Sequence, residues 1–241
     1  GVTGAPLGYA APAVGQDGVV YVAAQDGALH AVRDDGSTYT VLWTYDFGYS
    51  SIANASPVIG PNGMVYVVES KGVQYLHALH TNPGLPQSQR WAWALDVELG
   101  YGTGTTGPAY WDYGTPGNLS DDFLFVGGDR LRKVNAATGA VIWASPTTGV
   151  GASGAIPGVP IIDDQGTPTN TDDVVYALNS LGDLVAIDAN STDGLIDRFY
   201  DGVGSVLNSS PALGPSDSIY FALGTKLYNV TDSGSALTDT A

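Results

Sequence analysis

The 241-residue chain contains no cysteine. This absence excludes disulfide bonds, cysteine-ligated zinc, iron–sulfur clusters and thiol nucleophiles. Basic residues are also scarce, because 8 Lys and Arg oppose 24 Asp and Glu and give a formal net charge of −16. A surface of this charge repels the phosphates of nucleic acids and anionic lipids, so we expect no nucleic-acid partner.

Long apolar segments and helical spacing are absent as well. No apolar run approaches the ~18 residues that a membrane-spanning helix requires, so we expect the chain not to span a membrane. It begins at Gly1 without a signal peptide, which favours a mature, processed chain or a fragment of a longer one. Apolar residues do not recur at the 3.6-residue period of a helix, and an all-β fold is predicted instead.

The chain does contain five copies of an internal repeat. Each copy opens with a proline, at Pro12, Pro57, Pro108, Pro160 and Pro211, with spacings of 45, 51, 52 and 51 residues. An aromatic-centred run follows, at Tyr21, Tyr66, Phe125, Tyr176 and Tyr220. A third run begins at Leu29, Leu76, Leu131, Leu184 and Leu227. A fourth carries an aromatic residue in four copies, at Trp43, Trp93, Trp143 and, in a weaker match, Phe199.

These short runs are rich in Val, Ile, Tyr and Trp and are bounded by Gly, Asp, Asn or Pro, a pattern typical of strands and turns. Four short antiparallel strands in each ~40–50 residues are typical of a β-propeller blade. We predict one propeller domain with units at 9–53, 54–104, 105–154, 155–207 and 208–241. The fourth-strand aromatic is expected to fill the space between neighbouring blades. The last unit lacks a clear fourth strand, because only "TDSGSALTDTA" follows its third run.

The segments "NAATGAVIW" (135–143) and "DGALHAV" (26–32) resemble repeats of the quinoprotein-like, or PQQ-like, β-propeller superfamily. The resemblance extends over essentially the whole chain and implies the fold rather than an activity. That superfamily includes alcohol dehydrogenases, an outer-membrane assembly lipoprotein and the propellers of type IV pilus-tip adhesins. Of these, the chain resembles the pilus-tip adhesin propellers most. Such propellers commonly have seven or eight blades. Five units therefore form either a closed five-bladed ring or part of a larger propeller.

The resemblance also implies what a PQQ-dependent dehydrogenase would need: a vicinal disulfide, a calcium held by Glu, Asn and Asp, and a catalytic Asp. The chain has no cysteine, is far shorter and shows no matching ligand set. We therefore expect no PQQ and no catalytic residues. His30 and His77 occupy equivalent repeat positions, which favours a structural role over acid–base or metal chemistry.

Two acidic inserts separate the first and second runs of units three and four. They read "WDYGTPGNLSDDF" (111–123) and "DDQGTPTNTDDV" (163–174), and consecutive blades are expected to place them side by side. Carboxylates and amide oxygens suit calcium, which takes six to eight oxygen ligands. The candidate ligands are Asp112, Asn118, Asp121, Asp122, Asp163, Asp164, Asn170, Asp172 and Asp173. Gly-Thr-Pro interrupts the spacing of known calcium loops, so the alternative is that these residues only cap turns and solubilise the loops.

Two further sequence features bear on partners. The sequence Asn-x-Ser/Thr occurs at Asn54, Asn118, Asn190, Asn208 and Asn229, which predicts glycosylation of an exported glycoprotein unless polar loops simply cluster these residues. The segment "DRLRK" (129–133) is the one basic cluster, and it either docks an anionic partner or pairs with nearby Asp.

The sequence therefore favours a non-catalytic extracellular or cell-surface propeller that serves as an adhesion, scaffold or appendage subunit. Its partners would be a protein or a glycan at the cell surface, with self-assembly or a partner strand completing the last blade. The alternatives are a PQQ-like oxidoreductase with its site in the central channel, and a periplasmic assembly-factor scaffold that offers a strand edge to client proteins.

Overall fold

The structure is a computed structural model, and it describes residues 10–48, 55–61, 63–90, 92–93, 96–100, 107–113, 118–148, 153–167, 170–202 and 209–239. Nearly all of the regular structure in these residues is strand. The exception is a single 3-10 turn at Gln87–Gln89. The described part of the chain has no helix with the length and apolar character needed to cross a membrane.

In the described residues, twenty strands form five antiparallel sheets of four, each built from consecutive strands. Blade one contains β1 (Ala13–Val14), β2 (Val19–Ala23), β3 (Ala28–Asp34) and β4 (Tyr39–Asp46). Blade two contains β5 (Val58–Gly60), β6 (Met64–Lys71), β7 (Val73–His80) and β8 (Val97–Gly100). Blade three contains β9 (Pro108–Trp111), β10 (Phe123–Val126), β11 (Arg132–Asn135) and β12 (Val141–Ala144). Blade four contains β13 (Ile161–Asp163), β14 (Val174–Leu178), β15 (Leu184–Asp188) and β16 (Arg198–Tyr200). Blade five contains β17 (Ala212–Leu213), β18 (Ser218–Leu223), β19 (Lys226–Asp232) and β20 (Leu237–Asp239).

The predicted all-β propeller of four-stranded antiparallel blades is confirmed. One expectation for the last unit is wrong, because blade five does have a fourth strand. β20 pairs with β19 through Leu237 opposite Asp232 and Asp239 opposite Val230. It carries no aromatic residue, and a strand of three residues leaves little trace in the sequence.

Neighbouring blades bury their facing sides against each other, since a four-stranded sheet cannot cover its own apolar surface. We call the side that carries the second-strand aromatic the plug face and the opposite side the receiving face. In blade two the plug face includes Tyr66, Leu76 and Trp93, and these pack against Leu124 and Val134 on the receiving face of blade three. Equivalent cores join blades one and two, three and four, and four and five. In the described residues, no such core joins blade five to blade one.

Trp43 in β4 and Trp143 in β12 fill the space between blades as predicted. Trp93 does the same, although it lies before β8 and outside the fourth strand. Each of the three is also hydrogen-bonded to the next blade. The indole Nε1 of Trp43 donates to the Thr81 carbonyl at 3.1 Å, that of Trp93 to Ala136 at 3.0 Å, and that of Trp143 to Ser191 at 2.8 Å. All three acceptors lie in or beside the turn between the third and fourth strands of the following blade.

Glycines in these turns make room for the indoles. Gly139 and Gly194 have φ of 75° and 68°, a region that favours glycine. A Cβ atom at Gly139 would lie 2.7 Å from the Trp93 ring. The turn glycine therefore serves both the turn conformation and the contact with the ring.

Blade four departs from this pattern, and the expectation that Phe199 fills the space there is wrong. Pairing of β15 with β16 sets Arg198 opposite Ala186, the position that Trp43 takes opposite Ala31. Because side chains alternate along a strand, Phe199 points to solvent and is 63% exposed. Arg198 Nη2 instead lies 2.6 Å from Asp232 Oδ2 in blade five.

Candidate functional site

One face of the molecule carries the turns between first and second strands and between third and fourth strands of every blade. We call it the turn face. Many of its aspartates are exposed: Asp17, Asp34, Asp35, Asp112, Asp164, Asp172, Asp188, Asp193, Asp197 and Asp217. Its described arginines already have partners. Arg33 Nε contacts Asp35 at 2.9 Å and Arg198 is bound to Asp232. Arg90 is buried and donates to backbone carbonyls of its own turn. The turn face is therefore strongly negative.

A pocket of about 400 Å³ opens on the turn face where blades one, two and three meet. Its walls come from the first-to-second-strand turns of all three blades. Asp17 and Asp112 contribute carboxylates, and Tyr21 and Tyr110 contribute aromatic rings. Among the described residues that line the pocket, none is a histidine, lysine or arginine. Burial raises the pKa of the Tyr110 hydroxyl, and its 2.5 Å hydrogen bond to Asp122 raises it further. The lining provides acceptors for a cation or a hydroxyl group.

The insert of unit three borders this pocket. Asp112 lines the pocket, and Asn118 donates from Nδ2 to Asp121 Oδ2 at 2.8 Å. Asp122 is only 2% exposed and accepts the Tyr110 hydroxyl. Burial raises the pKa of Asp122, although the bond from Tyr110 opposes this. Residues 114–117, which include the whole Gly-Thr-Pro segment of this insert, lie outside the described residues.

The insert of unit four uses its acids in the same way. Asp163 accepts the Gln165 backbone N–H at 3.0 Å, and Asp164 accepts that of Gly166 at 3.0 Å. Asp172 accepts the Thr167 hydroxyl at 2.8 Å. These are turn-forming contacts.

The two inserts touch. Asn170 Nδ2 donates to the Asp112 carbonyl at 3.4 Å, and the indole of Trp111 donates to Asp173 Oδ2 at 2.5 Å. Asp173 is 2% exposed, and burial raises its pKa against the effect of the Trp111 bond.

Within the described ranges, no three acidic or histidine side chains are grouped in a way that would hold a metal ion. The structure shows the nine predicted ligands as hydrogen-bond acceptors and turn residues, and calcium binding stays a prediction.

His30 and His77 are not among the residues that line the pocket. His77 contacts Asp96 through Nδ1 at 2.9 Å and Glu69 through Nε2 at 3.1 Å. Burial opposes protonation of His77, but these two carboxylates outweigh it and raise the pKa. His30 contacts Asp26 at 3.0 Å in the corresponding place.

The basic cluster "DRLRK" is mostly internal. Arg132 lies 2.7 Å from Asp129 and donates to the Leu99 carbonyl at 3.1 Å. Lys133 is 5% exposed, and its Nζ donates to the Ala189 carbonyl at 2.7 Å and sits 4.1 Å from the Phe123 ring centre. Burial lowers the pKa of Lys133 to about 8. These contacts favour the expected pairing over docking of an anionic partner.

Three predicted glycosylation sites lie in the described residues. Asn118 is exposed, Asn190 is half-buried and donates to the Asn170 carbonyl, and Asn229 is half-buried in β19. Asn54 and Asn208 lie outside the described residues. Glycosylation stays a prediction.

A family of known proteins and several solved structures match the chain. The model of the family described as outer membrane protein assembly factor BamB, a PQQ-type repeat family, matches residues 86–239. The chain belongs to this family. No curated protein sequence matches the chain.

Several solved structures resemble the chain at low sequence identity. BamB from Moraxella catarrhalis gives a TM-score of 0.64 at 18% identity, covering 95% of this chain and 60% of that one. A chain of the mitotic checkpoint complex gives 0.67 at 14% identity, covering 95% and 63%. A protein of unknown function from Desulfotomaculum acetoxidans gives 0.60 at 12% identity, covering 95% and 68%. The chain spans about three fifths of the first two, and at these identities the likeness shows the fold alone. The pilus-tip comparison has no support in these matches.

Sequence reasoning found the acidic inserts but missed the pocket. Its walls in blades one and two are short turns such as "VGQD" (14–17), which carry no chemical motif. Only the stacking of three blades brings these turns together.

Proposed function

We propose that the protein is a non-catalytic scaffold of the cell envelope that binds a partner protein at the turn face. The proposal depends on the pocket of about 400 Å³, whose described lining presents carboxylates and tyrosines but no basic side chain, on a face with many exposed aspartates. Such a surface attracts lysine and arginine side chains, both by steering and by direct pairing.

Family membership supports a scaffold in place of an enzyme. The description of the matching family model is that of an outer-membrane protein assembly factor. A periplasmic or other cell-envelope location therefore fits better than an exclusively extracellular one, and assembly support fits better than adhesion. Adhesion and glycan binding have no contact in the described residues that favours them.

The described lining of the pocket also gives catalysis no support. Among these residues none is a nucleophile beside a general base, and the two hydrogen-bonded histidines lie on other parts of blades one and two. The buried Asp122 and Asp173 have raised pKa values, but each is bound to a neighbouring aromatic side chain that fixes a blade contact.

The proposal is tested by titrating the protein with a fluorescent decalysine peptide and a decaglutamate peptide at low and high salt. We expect salt-sensitive binding of decalysine and none of decaglutamate. Neutralising the turn face with Asp112→Asn and Asp172→Asn should weaken decalysine binding by about tenfold, because each rim charge adds to attraction.

The matched control is Asp46→Asn with Asp201→Asn, which removes the same charge from exposed sites on the opposite side. An equal loss of affinity in both double variants would show only non-specific attraction and would refute a binding face. Calcium is tested separately by calorimetric titration after chelator treatment, and no heat at millimolar calcium would end that prediction.

A further inference from the structure

The pocket on the turn face combines carboxylates with an apolar wall. Asp17 of blade one and Asp112 of blade three bring carboxylates to it from two different blades. Asp17 accepts the Val19 backbone N–H through Oδ1 at 3.1 Å, which leaves Oδ2 for a ligand. Blade two contributes the apolar side chains of Ile59 and Pro61. The lining therefore suits a group with a cationic head and an apolar stem, which is the make-up of lysine and arginine side chains.

Tyr110 supplies an aromatic wall to the same pocket. Its ring is half-buried and packs on Tyr66, with the two ring centres 5.9 Å apart. The Tyr110 hydroxyl donates to Asp122 at 2.5 Å, so the ring face is what remains for a ligand. A hydroxyl that donates to a carboxylate also makes its ring more electron-rich, and the negative ring face then attracts a cation more strongly.

A buried carboxylate lies next to this wall. Asp122 is 2% exposed, and none of the ion pairs among the described residues includes it. Its Oδ1 has no hydrogen-bond partner among the described atoms. A carboxylate that is removed from water and has no cation beside it projects its field into the adjoining cleft, because the low-dielectric wall screens it poorly. The pocket is therefore more favourable for a cation than its two lining carboxylates alone would make it.

We propose that the pocket receives one arginine side chain of the partner protein, with its guanidinium over the Tyr110 ring and paired to the lining carboxylates. This inference rests on the proposed function, since it assumes that a partner protein binds the turn face. Arginine suits the lining better than lysine does. Its planar guanidinium stacks on an aromatic ring and has five N–H donors for carboxylates on two sides, whereas the compact ammonium of lysine is more strongly hydrated.

The test is a heteronuclear NMR titration of the isotope-labelled chain, with chelator present to remove divalent cations. The ligands are acetylated and amidated peptides of the sequence Gly-Ser-X-Ser-Gly, in which X is arginine, lysine or citrulline. Citrulline keeps the shape of arginine without its charge. The backbone amides of Gly15, Gly60 and Gly63 line the pocket and report on it directly. We expect the arginine peptide to shift these amides saturably, the lysine peptide to bind at least about tenfold more weakly, and citrulline to leave them unshifted.

Blocking the pocket tests where the peptide binds. Gln16→Trp places an indole at the pocket, and because Gln16 is exposed and uncharged, the variant should fold and keep the charge of the turn face. We expect it to weaken binding of the arginine peptide by at least about tenfold. Gln89→Trp is the matched control, since Gln89 is an exposed glutamine outside the described lining, and it should bind like the parent chain. Normal binding to Gln16→Trp overturns the proposal, and so does a lysine peptide that binds as tightly as the arginine peptide.

The position over Tyr110 is tested with two buried aspartates. Asp122 and Asp173 are each 2% exposed, and each accepts a hydrogen bond from an aromatic side chain at 2.5 Å. The donor to Asp173 is Trp111, which is not among the residues that line the pocket. Asp122→Asn should weaken binding of the arginine peptide by about fivefold and Asp173→Asn by less than about twofold, because attraction to the guanidinium falls with distance. Equal losses would contradict a guanidinium placed over the Tyr110 ring.

Failure of this inference can be told apart from failure of the proposed function. Decalysine binding needs only the charge of the turn face, so Gln16→Trp should still bind decalysine in a salt-sensitive way. If decalysine binds but the arginine peptide leaves the pocket amides unshifted, the turn face stands as a binding face and the arginine pocket is wrong. If the arginine peptide binds and decalysine does not, the pocket stands and the wider binding face is wrong.

Discussion

Lys133 takes the place of a missing tyrosine hydroxyl at the contact between blades three and four. In blade two, the Tyr66 hydroxyl donates to the Ala136 carbonyl of the next blade at 2.9 Å. Blade three has Phe125 in that position, and Lys133 Nζ donates to the equivalent carbonyl, that of Ala189. Blades one, two and four have alanine where Lys133 stands. We predict that Phe125→Tyr and Lys133→Ala compensate each other.

The magnitude follows from what each single change leaves unpaired. Lys133→Ala strips the buried Ala189 carbonyl of its donor, which costs about 1–3 kcal/mol, while it removes a buried charge. Phe125→Tyr alone adds a hydroxyl whose acceptor is already occupied, which costs a similar amount. In the double variant the new hydroxyl meets the freed carbonyl. We therefore expect a coupling free energy of about 1–3 kcal/mol in favour of the double variant.

The assay is urea unfolding at pH 7, followed by tryptophan fluorescence, for the four members of the cycle. Tyr66→Phe serves as the reference for loss of one hydroxyl, and it should cost less because Trp93 still donates to Ala136. Stabilities that add to within about 0.5 kcal/mol would refute the compensation.

The same lysine gives a pH signature. Its folded pKa of about 8 lies below the unfolded value, so the unfolded chain binds more protons between these values. The free energy of unfolding should rise from pH 8 towards pH 10, and this rise should be absent in Lys133→Ala.

Three further predictions concern other contacts. Leu76→Ala should cost about 2–5 kcal/mol of unfolding free energy and Leu227→Ala less than about 0.5, because the first side chain is buried and the second solvated; equal losses in urea would contradict an open blade-five face. Asp232→Asn should cost about 3 kcal/mol, because Asp232 accepts both Arg198 and, at 2.6 Å, the Tyr176 hydroxyl; an unchanged urea midpoint would be the contrary result. Stability should fall as pH rises above about 6.5, because the raised pKa of His77 makes the folded state bind more protons than the unfolded state until pH passes the folded value. Urea midpoints measured from pH 5 to 7.5 should show this decline, and a His77→Gln variant with the same slope would argue against His77 as its source.

Much of the fold could be predicted because equivalent positions of the five repeats indicate which residues of neighbouring strands lie opposite each other. The residue two places after the third-run leucine lies opposite the second-strand aromatic in all five blades, for example Ala31 opposite Tyr21 and Asn229 opposite Tyr220. Short strands, fixed turn residues and strict alternation leave little freedom in such pairing. The error at Phe199 has the same physical origin. A one-residue offset in a strand turns the side chain to the opposite face. The repeat pattern assigns the inter-blade position to the aromatic Phe199, whereas the pairing of β16 assigns it to Arg198.

The candidate site was less predictable because it belongs to no single repeat. The side-by-side position of the two acidic inserts follows from consecutive blades, and the contact between Asn170 and Asp112 shows it. The pocket depends on how far each turn projects towards its neighbours, which strand patterns do not encode. The exposure of Leu227 could not be predicted either, since its sequence context matches that of four buried leucines.

The four internal contacts between blades are built with different polar groups on one apolar plan. The first uses Trp43, the second Trp93 with Tyr66, the third Trp143 with Lys133, and the fourth an Arg198–Asp232 pair. Burial of apolar surface drives stacking without direction, whereas a buried donor without its acceptor costs about 1–3 kcal/mol. A plug face placed on the wrong receiving face would therefore keep most of its apolar contact and lose its hydrogen bonds. Chain connectivity already places consecutive blades side by side, and the different polar groups at each contact add a penalty for any other pairing of faces.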